Sequence, residues 1–266
     1  MERPPEDATA PAGAPATAEA VPAPPCRPWG AWATAGLGVV IFGGHTIAQL
    51  VAAALYLALI AVLRPGADVK TLAMALPTDA VHLVFAIVVA APVGIGLTLG
   101  AAALRRGCAI REYLALRGVP VRTLARWLGL TLAMVAVLDT LSFLLGRPIV
   151  PPWVAAVHER ASPPALAALW LALAVPTPAF EEIFFRGFLL EGWRASRLGA
   201  AGAVALSSLV FAMVHLQYDA YGVLQVFAIG LLLAVARLRT GSVVLSAALH
   251  GLLNTVATLE ALIGVR

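Results

Sequence analysis

Residues 176–190 read PTPAFEEIFFRGFLL, and the architecture of the chain turns on this stretch. Two prolines precede two adjacent glutamates, and an arginine follows, in a run that is otherwise apolar. A helix that merely crosses a bilayer has no use for Glu181, Glu182 and Arg186. They could sit at a membrane surface, at the start of a basic stretch. Carboxylates inside membrane segments are costly and mark function by default, which favours an interior position. Proline removes a backbone hydrogen bond and clashes with the preceding turn, so Pro176 and Pro178 break the span midway. Thr177 is placed to cap a new helix with Pro178 in its first turn. Glu181 then lies near a helix N-terminus, where the dipole favours a carboxylate. Broken helices at membrane depth occur where they line a protein-enclosed or watery cavity.

The surroundings of this stretch are those of a membrane protein. Of 266 residues, 61% are hydrophobic and 12% charged, whereas soluble domains run near half apolar and a quarter charged. A spanning helix needs about 20 apolar residues, and the sequence predicts about seven, near 32–63, 80–104, 124–145, 165–190, 200–216, 221–237 and 242–263. The fold expected is an all-α, polytopic membrane helical bundle with a catalytic cavity in its core. Three regions follow: a Pro/Ala-rich tail over 1–30 without helical periodicity, N-terminal spans and a basic loop over 31–145, and a catalytic region over 146–266. The tail reads as disordered and lacks the apolar core of a signal peptide.

The net charge is +4, and the arginines gather between spans instead of interleaving with aromatics. That pattern predicts a lipid bilayer as partner and no nucleic acid. Arg105, Arg106, Arg111, Arg117, Arg122 and Arg126 lie between the second and third spans. Placing them in the cytoplasm also places Arg194, Arg197, Arg237 and Arg239 there. The chain is then a multi-pass cell-membrane protein with a cytoplasmic N-terminus. Cys26 and Cys108 are far apart with no paired spacing, and are expected to be free thiols.

Within 176–190 the charges divide. Glu182 and Arg186 are four apart, share a helical face and can pair, whereas Glu181 lies about 100° away and has no partner in its own span. FAMVH carries His215 with Phe211 one turn earlier, and HGLLN carries His250 with Asn254 one turn later. Singly, each histidine is more simply a helix–helix hydrogen bond. Together, Glu181, His215 and His250 supply one carboxylate and two imidazoles from three helices. That set matches a catalytic zinc site with an open position, so Zn²⁺ or another divalent metal is one expectation. The same groups can instead hold a water, with the glutamate as general base. His45, His82 and His158 read as structural. Asp139 is a lone carboxylate suited to a helix–helix hydrogen bond, or to lining the cavity.

In this order, EEIFFR, FAMVH and HGLLN resemble the EExxxR, FxxxH and HxxxN/B boxes of the CPBP intramembrane proteases. That family includes the type II CAAX prenyl proteases and bacteriocin-processing or immunity proteins. Glu181, Glu182, Arg186, Phe211, His215, His250 and Asn254 all match, over roughly residues 164–256. The resemblance implies a peptidase of metallo- or glutamate type acting on a membrane-associated protein or peptide. In CAAX processing the bond cut is next to a prenylated cysteine. It also implies that Asn254 helps stabilise the oxyanion. Two alternatives stand beside it: an immunity or scaffolding member with little proteolysis, and a small transporter using the buried charges. A transporter should show broken helices in both halves, and only the fourth span looks broken.

Overall fold

The computed structural model describes residues 26–264; most of the expected tail lies outside them. Every regular element among the described residues is a helix. Three long helices open the fold: α1 (Ala31–Leu63), α3 (Ala80–Ala103) and α5 (Val121–Leu144). Between them lie the short helices α2 (Val69–Ala75) and α4 (Ile110–Tyr113), and α6 (Pro152–Arg160) follows α5 in the loop before the fourth span. That span is a chain of pieces: α7 (Pro163–Ala174), α8 (Pro176–Glu181), a π-helical segment Glu182–Leu189, and α9 (Leu190–Arg194). The fold closes with α10 (Gly199–Met213), α11 (Ala220–Thr240) and α12 (Val243–Ile263).

Six of these stretches are long and apolar enough to cross a membrane; α10 is the exception. At 15 residues and 1.5 Å per residue, α10 reaches about 22 Å, short of the hydrocarbon thickness of about 30 Å. The outward faces stay apolar, as Val39, Leu55 and Val62 on α1 and Phe143 and Leu144 on α5 show. Such continuous exposed apolar surface is what lipid covers.

The break in the fourth span sits two residues before the expected place. Val175 leaves helical geometry and Pro176 opens α8, so Thr177 lies inside the helix and caps nothing. The reason is in the prolines. In an unbroken helix the carbonyls of Ala172 and Ala174 would accept from residues 176 and 178, and neither proline has an N–H to give. α12 packs against this break. Asn254 Nδ2 donates to the Leu173 carbonyl at 2.7 Å. Gly251 lies against Ala174, where a Cβ would stand 2.5 Å from the carbonyl oxygen. Only glycine lets α12 come this close.

The cysteine expectation is overturned. Cys26 and Cys108 form a disulfide, with their Cα atoms 4.8 Å apart. Spacing could not show it, because the start of α1 folds back on the turn after α3. Trp29 Nε1 donates to the Ala101 carbonyl at 2.9 Å, and Arg105 Nε donates to the Arg27 carbonyl at 2.7 Å.

Candidate active site

Arg186 and Glu182 are wholly buried, with Arg186 Nη1 donating to Glu182 Oε1 at 3.0 Å. Its other terminal nitrogen donates to the Gly230 carbonyl on α11 at 3.2 Å. The guanidinium lies 4.2 Å from the Phe211 ring centroid, a cation–π contact that is strongest when desolvated. Glu182 Oε1 has a second donor, His250 Nδ1, at 2.9 Å. An ionised carboxylate only accepts, so Nδ1 carries the hydrogen and Nε2 is the free ring nitrogen. Glu182 thus ties the broken span to α12 and fixes how the imidazole presents itself.

Glu181 stands apart from that pair, on the other side of the imidazole. Its Oε2 is buried without a hydrogen-bond partner and lies 3.8 Å from His250 Nε2. That separation is too long for a direct hydrogen bond. His215 does not lie in the fifth helix. It follows the end of α10, with Nδ1 bonded to the Phe211 carbonyl at 2.7 Å. Because α10 is short, a residue just past its end remains within the bundle. Phe211 lies between the two histidines, its ring 4.7 Å from that of His215 and 5.8 Å from that of His250. Asn254 spends one amide hydrogen on Leu173 and keeps the other.

Phe211, His215, His250 and Asn254 line one cavity of about 180 Å³. Asp139 and Glu260 line it too. Glu260 was not singled out from sequence. Its signal was a carboxylate in the last turn of an apolar span, fewer than two turns beyond Asn254. Tyr218, also missed, lines the cavity. Burial, and then the Glu181 charge, push its hydroxyl up to about 12, so it keeps its proton at neutral pH. Outside the cavity, His45 Nδ1 bonds the Ala90 carbonyl at 3.0 Å while its ring stacks on Phe180. His82 and His158 bond local carbonyls.

The metal expectation has a donor set of the right chemistry, with Nδ1 of both histidines already occupied and both Nε2 atoms free. Among the described residues, however, no group of three or more His, Cys, Asp or Glu side chains stands at metal-holding spacing. His215 and His250 line the cavity, whereas Glu181 is not among its lining residues and stands 3.8 Å from His250 Nε2, so the three do not converge on one point.

These features define a class: a multi-pass helical membrane protein with a carboxylate–imidazole centre enclosed in its bundle. Residues 163–256 match the family model of the type II CAAX prenyl endopeptidase Rce1-like proteins. That span runs from the start of α7 into α12 and contains every residue of the three sequence boxes, in agreement with the resemblance they carry. A curated relative, an "Uncharacterized 24.3 kDa protein" of Escherichia coli, is 32% identical over 113 residues, 41% of this chain and 52% of the relative. The chain therefore spans about half the length of that relative. No solved structure matches it.

Proposed function

We propose that this chain is an intramembrane endopeptidase that hydrolyses a peptide bond of a membrane-associated, CAAX-like protein or peptide. The observation that carries the reading is the pairing of Glu181 Oε2, buried and unpartnered, with His250 Nε2 3.8 Å away. Both atoms are acceptors when the imidazole is neutral. A water between them donates one hydrogen to each and directs its lone pairs outward, toward a substrate carbonyl in the cavity.

Glu181 then takes a proton as the water oxygen bonds to the carbonyl carbon. The carbonyl π pair moves to oxygen and creates a tetrahedral oxyanion. Donors set in advance stabilise that charge more than they stabilise the flat substrate. The second amide hydrogen of Asn254, the hydroxyl of Tyr218 and the charged form of His215 are suited to the task. As the C–N bond breaks, the Glu181 proton passes to the departing nitrogen, so no proton is left over. Apolar walls around the cavity strengthen each of these interactions by excluding bulk water.

The test is cleavage by the purified chain in lipid vesicles, using isoprenylated and unmodified CAAX-type peptides with mass detection of the products. Cleavage of the isoprenylated peptide next to the modified cysteine is expected, and should persist after exhaustive chelation. Activity lost on chelation and restored by Zn²⁺ would replace the water-only mechanism with a metal one. No cleavage of any peptide by correctly folded protein would leave the scaffolding alternative in its place.

A further inference from the structure

At the opposite end of two helices that wall the catalytic cavity lies an open groove of about 590 Å³ between the start of α5 and the end of α11. Arg122, Arg126 and Arg239 line it, with Trp127, Leu130 and Val235 forming an apolar wall. Arg122 and Arg126 are one turn apart on the same face of α5, and Arg239 meets them from α11. Among the described residues none of the three makes an ion pair or a side-chain hydrogen bond, in contrast to Arg186 and Arg237, which are both paired with glutamates. Three like charges in one groove repel one another unless an anion lies among them. Thr123 lines the same groove.

The position selects the anion. Both helices are membrane spans, and the groove opens where they end, at headgroup level. Guanidinium groups bind phosphate oxygens in a two-pronged geometry that ammonium groups cannot reproduce. The apolar wall continues from the arginines toward the bilayer interior. A free phosphate would leave that wall uncovered, whereas the first methylenes of an acyl chain would cover it. We propose that this groove binds an anionic phospholipid, its phosphate on Arg122, Arg126 and Arg239 and its acyl chain along Trp127, Leu130 and Val235. Basic pockets between spanning helices are suited to this chemistry. The site is separate from the reaction centre and does not depend on the chain being a peptidase.

The experiment uses the full chain in detergent, titrated with phosphatidylglycerol, phosphatidylcholine or inorganic phosphate. Bound lipid is read by native mass spectrometry, together with the thermal unfolding midpoint. Phosphatidylglycerol should be retained and raise the midpoint, while the other two should do neither. Replacing all three arginines by glutamine should weaken retention on the order of 100-fold, about fivefold for each charge removed. These side chains are exposed, so the variant should fold. An all-lysine variant should keep part of the affinity, because charge survives and the two-pronged geometry does not. Equal retention of phosphatidylcholine, unchanged retention by the glutamine variant, or full reproduction of the effect by inorganic phosphate would each overturn the assignment.

Discussion

Glu181 and Glu182 are neighbours in sequence with different surroundings. Glu182 holds two donors on one oxygen, Arg186 Nη1 and His250 Nδ1. Changing it to glutamine leaves Arg186 as a buried, unpaired charge, a loss of about 3–5 kcal/mol, and releases the imidazole. Glu182→Gln should therefore lower the unfolding midpoint in detergent as well as the activity. Adding Arg186→Met should restore part of the stability and none of the activity. An unchanged midpoint in the single variant would show that the pair does not brace the fold. Asn254 has a structural task beside the chemical one proposed for it. Asn254→Ala removes the partner of the Leu173 carbonyl, at about 1–3 kcal/mol, so the same assay should show a smaller shift. At this scale much of the site was legible. The four-residue spacing of Glu182 and Arg186 dictates their pairing, and the isolation of Glu181 follows from its angle on the helix. Which ring nitrogen of His250 meets which glutamate was not legible, because it depends on how α12 is rotated against the broken span. Glu260 was passed over for a related reason, since nothing near it in sequence announces its place on the cavity wall.

The broken span and α12 work as one unit at the scale of elements. Pro176 and Pro178 deprive two carbonyls of partners, and α12 approaches that gap through Gly251 and Asn254. A methyl group at Gly251 meets backbone and not a flexible side chain. Gly251→Ala should therefore push α12 away from α7, cost about 1–3 kcal/mol, and move His250 relative to Glu181. The expected outcome is a lower unfolding midpoint with a disproportionate loss of cleavage, read on the same preparations. A variant with native stability and native rate would mean that this approach positions nothing. The break itself was legible from the prolines, although the new helix begins at Pro176, with Val175 as the last residue before it. The π-helical winding over Glu182–Leu189 was not, because sequence periodicity does not separate it from an α-helix over so few turns. Wide turns of this kind recur at functional sites. Here the winding lies wholly in the segment that carries Glu182 and Arg186. The position of His215 depended on where α10 stops, and a boundary two residues early moves it from helix to loop.

Two observations about the whole molecule point to opposite sides of the membrane. The arginines at the ends of α3, α5, α9 and α11 mark one end of the bundle, which the positive-inside rule assigns to the cytoplasm. The disulfide between Cys26 and Cys108 lies at that same end, and disulfides persist in oxidising compartments. We propose the orientation that the arginines give, since they are many and agree across four spans. An impermeant thiol reagent added outside intact cells, with or without an impermeant reductant, should then label neither cysteine before lysis. Labelling of Cys108 after external reduction would invert the topology. The helical, membrane-spanning character of the chain was legible from composition and span length alone. The disulfide was not, because it depends on the chain before α1 folding back against the turn after α3.

The measurement that bears most directly on the chemistry is single-turnover cleavage in oxygen-18 water by the native chain and by Glu181→Gln. The amide is nearly isosteric and cannot accept the proton, so the variant should fold, bind substrate and cleave at least about 100-fold more slowly. The native enzyme should place one heavy oxygen in the new carboxylate, and its unfolding midpoint should match that of the variant. Cleavage by Glu181→Gln within a few-fold of the native rate would contradict the assignment of Glu181 as the base that activates water.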